Sequence, residues 1–306
     1  MWLMFLFCCA ESNSAHAMPG TSRPAEMNWI AAWRRCWRIP AITGWLLWGL
    51  LLALLQSTCN WLRPQRREAQ RARLMQHWMR GLISLLPLDV RYFGAATQQP
   101  ALWLCNHISW LDIVILAALY PQRFVSKSEV AHWPVIGTLA RAAGTLFIRR
   151  GNASGLQQSL LEQLQQGHSV IIFAEGTTTC GDRVAPLHGR LLSAAQIDQA
   201  LLQPVALGYY QRGKRDALAP FVDAEHFHHH LWRLLGSAPI QARVQFLPPM
   251  IAAQGNRQQL AARIREQIAQ VLDVPMLAAS GRRKDSSATK DLTAGINARK
   301  SLSNPA

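Results

Sequence analysis

The chain has 306 residues, half of them hydrophobic and only 16% charged, with a formal net charge of +15. That charge density is low for a soluble enzyme, where about a quarter is usual, and the basic excess favours an anionic surface as partner. Much of the arginine flanks apolar sequence, which favours a membrane leaflet over nucleic acid.

Residues 1–28 form an uncertain N-terminal extension. Its apolar start, Met1–Cys9, has no positive n-region and is too short to cross a bilayer, so it does not read as a signal peptide. Met18 and Met27 are alternative starts. Ile39–Leu62 carries no charge and is bounded by Arg38 and Arg63. As a helix it would run roughly 36 Å, long enough to cross the hydrocarbon core. Trp45, Trp48 and Trp61 suit the interfaces. Arg34, Arg35 and Arg38 precede the segment, and Arg63, Arg66, Arg67, Arg71 and Arg73 follow it. Positive charge at both ends also suits a helix that dips into one leaflet; a buried soluble helix is the alternative. From Gln65 to Leu86, Leu74, Met75, Trp78, Met79, Leu82, Ile83 and Leu86 recur at three- and four-residue steps against a basic face. That pattern predicts an interfacial helix, a helix packed on the catalytic core, or both.

Beyond residue 89, strands are expected at 101–106, 123–127, 144–149, 169–174, 203–209 and 241–247. Helices are expected at 110–119, 135–143, 154–166, 190–201 and 257–272. The alternation predicts an α/β domain over 89–277, a central and mostly buried sheet flanked by helices. It follows a membrane-anchoring helical segment, 29–88. Residues 278–306 are basic and poor in apolar residues, and read as a disordered tail.

The six cysteines show no CxxC pair and no framework spacing, which fits a reducing compartment without disulfides or a zinc site. Cys180 reads as a passive neighbour of the Glu175 segment. GxSxG, P-loop and GxGxxG patterns are absent, which disfavours a serine hydrolase elbow and nucleotide folds. His226–His230 is rich in histidine but lacks carboxylate or cysteine partners at ligand spacing, and reads as an exposed polar stretch before a helix. Arg212, Lys214 and Arg215 meet lipid headgroups or donor phosphates, or simply solvate a loop.

Chemistry concentrates in Asn106-His107-Ile108-Ser109-Trp110-Leu111-Asp112, at the exit of an apolar strand. If the chain turns there, the Asp112 carboxylate can accept the Nδ1 proton of His107 and leave the other ring nitrogen basic. Such a spacing arises by chance in roughly one chain in three of this composition, so alone it decides little. Two further blocks raise it: Gly144-Thr145-Leu146-Phe147-Ile148-Arg149-Arg150, and Phe173-Ala174-Glu175-Gly176-Thr177-Thr178. A late strand, Gln203-Pro204-Val205-Ala206-Leu207-Gly208, follows.

In this order the blocks resemble the PlsC-type glycerolipid acyltransferases, with their NHxxxxD, GxxFIxR, FPEGTR and proline-valine patterns, over about residues 90–250. The resemblance implies His107 as general base and Asp112 as its orienting partner. It assigns Arg150 to the acceptor headgroup, with Glu175, Gly176 and Thr177 in the acceptor site and Lys127 as an auxiliary cation. It implies no cofactor and no metal, with acyl-CoA or acyl-acyl carrier protein as co-substrate. The partners are a lysolipid acceptor and an anionic membrane surface, not nucleic acid. The expected place is the inner membrane, with the catalytic domain on the cytoplasmic side. Ala174 replaces the pattern's proline, and Thr178 replaces its arginine, deleting a cation expected near an acceptor phosphate. The leading expectation is acylation of 1-acyl-sn-glycerol-3-phosphate to phosphatidic acid. A lyso-ornithine lipid or another lysophospholipid is the alternative acceptor. A non-catalytic basic membrane-binding protein and a lipid esterase are rivals of other classes.

Overall fold

The computed structural model describes residues 26–62, 67–149, 153–197, 200–222, 225–252 and 256–277. Most of the extension 1–28, Arg150 and the tail 278–306 therefore lie outside the described residues.

Seven strands form the body of one mixed sheet: β1 (Leu88–Phe93), β2 (Ala101–Cys105), β3 (Arg123–Lys127), β4 (Leu146–Ile148), β5 (Val170–Phe173), β6 (Leu201–Gln211) and β8 (Ile240–Phe246). Two-residue strands, β7 (Lys214–Arg215) and β9 (Met250–Ile251), pair with β6. The order is β1-β8-β6-β2-β5-β3-β4. β6, β2, β5, β3 and β4 run parallel, and β8 is antiparallel to β6. Every residue of β2 is buried. Ala101, Trp103 and Cys105 join one core cluster, and Leu102 and Leu104 join the other. This period of two, with both faces covered, explains why a continuous apolar run makes a strand here rather than a helix.

The helices are α1 (Glu26–Leu62), α2 (Arg67–Leu85), α3 (Leu111–Leu119), α4 (Ile136–Ala142), α5 (Ala153–Gln165), α6 (Ser193–Ile197), α7 (Phe227–Gly236) and α8 (Arg257–Leu272). The helix expected at 190–201 is broken. A 3₁₀ turn at Gly189–Leu192 leads into the short α6, and Leu201 already belongs to β6. The reason is pairing: Leu201 and Leu202 sit between β2 and β9 in the ladder, so the strand claims them ahead of the helix. β4 is also shorter than expected, because Gly144 turns the chain with φ +77°.

α1 is one helix from Glu26, thirteen residues longer at its start than the uncharged segment. Its exposed large side chains are Trp29, Trp33, Trp37, Ile39, Leu47, Trp48, Leu51, Leu54 and Leu55. At 100° per residue all but Ile39 fall within an arc of about 120°. Arg34, Arg35 and Arg38 turn away from that face and bind the end of α7. Arg38 donates to the carbonyls of Leu235 (2.7 Å) and Ser237 (3.0 Å), and Arg35 to that of Trp232 (3.0 Å). Arginines at a helix C-terminus satisfy orphan carbonyls and complement its dipole. So these charges hold α1 to the α/β domain.

Of the readings offered for α2, the structure shows the packed one: its apolar stripe faces the protein. Trp78, Leu82 and Leu86 are buried, while Gln76 and Arg80 donate to the last carbonyls of α3, Leu119 (2.6 Å) and Ala118 (3.0 Å). α1 and α2 clasp reciprocally. Trp45 Nε1 donates to Trp78 O (3.0 Å) and Trp78 Nε1 to Trp45 O (3.2 Å). Each indole lies over a glycine of the other helix: a Cβ on Gly81 would come within 2.1 Å of the Trp45 ring, and one on Gly49 within 2.5 Å of Trp78.

Candidate active site

The carboxyl ends of β2, β5, β3 and β4 share one edge, where chains leaving β2 and β5 depart to opposite sides. That is where open α/β sheets form a crevice. β2 ends at Cys105, and Asn106 continues its ladder through the side chain. Nδ2 donates to Leu207 O (2.9 Å), and Oδ1 accepts from Leu207 N (2.8 Å). Asn106 therefore ties β6 to the point where β2 turns away.

His107 and Asp112 meet as expected, Nδ1 to Oδ2 at 2.8 Å. Asp112 lies fully buried in the first turn of α3. Its Oδ2 also accepts from the backbone N–H of Ile108 (2.7 Å) and Ser109 (3.0 Å), and Oδ1 accepts from the Tyr209 hydroxyl (2.7 Å). Four donors compensate for the cost of burying a carboxylate, which only accepts. Nδ1 is then the protonated nitrogen, and Nε2 keeps the lone pair. One face of the imidazole stacks on Phe173, with centroids 3.9 Å apart and planes 15° from parallel. The His107 side chain is 18% exposed, enough to meet a ligand while the ring stays fixed.

The His107 backbone is gripped as well. Its carbonyl accepts from Thr179 N (2.8 Å) and Oγ1 (3.2 Å). Its N–H donates to Glu175 Oε2 (3.2 Å), whose other oxygen accepts from Ala185 N (3.1 Å). Glu175 is buried, so its carboxyl bridges two loops rather than standing in the cleft. Burial raises its pKa to about 7; the N–H donors of His107 and Ala185 oppose the rise, Asp112 adds to it and Arg265 opposes it.

Gly176 and Thr177 lie exposed beside this point. Gly176 has φ +73°, and a Cβ there would approach His188 Nε2 to 3.1 Å, so both backbone and space require glycine. Lys127 and Arg149 are exposed at the ends of the adjacent strands β3 and β4, where Lys127 pairs in register with Ile148. Arg150 lies outside the described residues.

Three features escaped the sequence reading. Tyr209 is buried in β6 and finds its partner in Asp112; a tyrosine inside an otherwise apolar strand is the signal, since its hydroxyl needs a partner. His226–His230 is not an exposed stretch ahead of a helix. Phe227–Gly236 is the helix, and His230 is fully buried. It lies one turn before the buried Leu234, on the same inward face. There it accepts from Trp110 Nε1 (3.1 Å) at Nδ1 and donates from Nε2 to Ala219 O (3.2 Å), and burial lowers its pKa. Arg215, finally, is spent on structure. It donates to Gly181 O (2.8 Å) and to Leu272 O, pinning the loop after Thr179 to α8. Among the described residues, no group of three His, Cys, Asp or Glu side chains is placed to hold a metal ion.

A base-competent histidine held by a buried aspartate at the carboxyl edge of this sheet matches one class, and the chain belongs to it: the PlsC-type acyltransferases. The family model described as Acyltransferase matches residues 89–208. The chain is 39% identical to a lyso-ornithine lipid O-acyltransferase of Pseudomonas aeruginosa, over 78% of this chain and 93% of that protein. It is 33% identical to a 1-acyl-sn-glycerol-3-phosphate acyltransferase of Neisseria meningitidis serogroup B, over 63% of this chain and 78% of that one. The crystal structure of the PlsC acyltransferase of Thermotoga maritima has the same fold, with TM-score 0.62 and 16% identity over 81% of this chain and 96% of that one. The protein is an acyltransferase.

Proposed function

We propose that the enzyme moves a fatty acyl group from a coenzyme A or acyl carrier protein thioester onto the hydroxyl of a lysolipid, and that the lysolipid is lyso-ornithine lipid. The hydrogen bond from His107 Nδ1 to Asp112 carries the chemistry, because it leaves Nε2 to take the hydroxyl proton. The alkoxide oxygen bonds to the thioester carbonyl carbon, the carbon–sulfur bond breaks, and the imidazolium returns the proton to the departing thiolate. Attack is direct, with no acyl-enzyme. Asp112 stabilises the imidazolium formed on the way. Glu175 acts by holding the His107 backbone. Lys127, with Arg149 at the neighbouring strand end and Arg150 next to it in sequence, offers cations to the acidic parts of the substrates.

The acceptor choice rests on Thr178. An arginine at that place in the family pattern would face a phosphate, and threonine suits a headgroup without one. The similarity to the Pseudomonas lyso-ornithine lipid enzyme points the same way. Purified enzyme with a labelled thioester and equal amounts of lyso-ornithine lipid and 1-acyl-glycerol-3-phosphate tests this directly. Label should enter lyso-ornithine lipid at least about tenfold faster, the discrimination expected of one charged contact. Preference for the phosphate acceptor would restore phosphatidic acid as the product.

The place of action is the cytoplasmic face of the inner membrane, with α1 entering one leaflet. Its first half is docked to α7 and its middle to α2, which is itself docked to α3. Beyond Gly49 only about 20 Å of helix remains, too little to cross the hydrocarbon core.

A further inference from the structure

The geometry points to Tyr209 as a positioning residue for acyl transfer: its hydroxyl holds Asp112 Oδ1 and, through Asp112, sets the orientation and basicity of His107. The inference rests on the reading of His107 and Asp112 as the base and its partner.

β6 outruns β2. Their last paired residues are Cys105 and Val205, yet β6 continues to Gln211. Asn106 supplies one more rung at Leu207, and β8 stays paired with β6 through Tyr210, so the overhang remains a strand. With a period of two, Val205, Leu207 and Tyr209 then point to the same core, the one that also holds Leu111 and Ile115 of α3. Tyr209 thereby arrives over the first turn of α3, and its hydroxyl is 2.7 Å from Asp112 Oδ1. A phenylalanine would fill the same buried space, so the hydroxyl is explained by the carboxylate and not by packing. Burial pushes the phenol well above its usual range, so it stays a donor at any pH at which the enzyme works. The division of labour is strict: Oδ2 takes the imidazole and two backbone N–H groups, and Oδ1 takes Tyr209.

Two consequences follow for His107. The second anchor stops the carboxylate rotating about its own axis, which keeps Nδ1–H in line. It also draws negative charge away from Oδ2, which tempers how strongly Asp112 favours the imidazolium. Glu175 and Cys105 are the other titratable groups facing Asp112, and Tyr209 bonds to neither of them.

The test uses the full chain in detergent. Y209F is expected to lower kcat about tenfold, the loss typical of a hydrogen bond to a charged group. KM for both substrates should stay within about twofold of the parent. The acidic limb of kcat/KM should move to higher pH, because the relieved carboxylate holds the imidazolium proton more tightly. Site-specific 3-fluorotyrosine at 209 keeps the shape and strengthens the donor, so its acidic limb should move the other way. In a D112N background, Y209F should cost nothing further. Unmoved limbs in both Tyr209 variants, or a tenfold loss that persists beside D112N, would overturn the role assigned to Tyr209. A lower melting temperature with unchanged kcat per folded molecule would reduce Tyr209 to a packing residue and overturn it too. Full transfer by H107A would instead remove the underlying base and leave the Tyr209 inference without a target.

Discussion

At the scale of single residues, the site is built by holding a backbone as firmly as a side chain. Glu175 illustrates the point, since its two oxygens join the His107 and Ala185 peptides. Its burial carries a signature in pH. A folded value of about 7 lies above that of a free glutamate, so the native state retains a proton that the unfolded chain has released. The associated stability is fully present below about pH 4.5 and is lost as pH rises through about 7, a difference of roughly 3 kcal/mol. The melting temperature of the parent should therefore fall across that window by more than that of E175Q, which cannot titrate. Parallel curves would show that the Glu175 carboxyl is ionised throughout. E175Q should also lose activity, because an amide nitrogen would face one of the two N–H donors.

At the scale of elements, the central sheet was legible because its strands are buried on both faces. Ala101–Cys105 and Val170–Phe173 are unbroken apolar runs, and the blocks at their exits sit at the expected edge. The His107–Asp112 contact was legible too, being a local turn. What escaped was set by long-range pairing. β1 closes the sheet by pairing in parallel with β8, a contact that no local pattern announces. Leu201 joins the ladder through β9, and His230 owes its burial to Trp110 on a distant helix turn. The α1–α2 clasp belongs to the same class, since a glycine opposite a tryptophan is visible only once the two helices cross. Gly81→Ala should lower stability by about 1–3 kcal/mol through overpacking against Trp45. Gly44→Ala, with nothing within 4 Å of the added carbon, should be neutral or stabilise the helix by up to about 1 kcal/mol. Thermal melts in detergent check both; equal melting temperatures for the two variants would mean that the clasp contributes nothing.

At the scale of the whole molecule, one side of α1 presents an uncharged face about 40 Å long, and the other side carries the contacts to the catalytic domain. An aromatic and aliphatic stripe of that length fits a lipid interface, which is the contact proposed for it. Glutamate at both Leu51 and Leu54 should release the protein from anionic vesicles at moderate salt while leaving its helix content unchanged; undiminished binding would place the membrane contact elsewhere. In the proposed chemistry, His107, oriented by Asp112, takes the proton of a lysolipid hydroxyl. The most direct test of that step is the rate at which label passes from an acyl thioester to lyso-ornithine lipid in the parent and in H107A. We predict a fall of about 10²–10⁴-fold, with the variant still folded by its melting curve. Transfer undiminished without His107 would contradict the account.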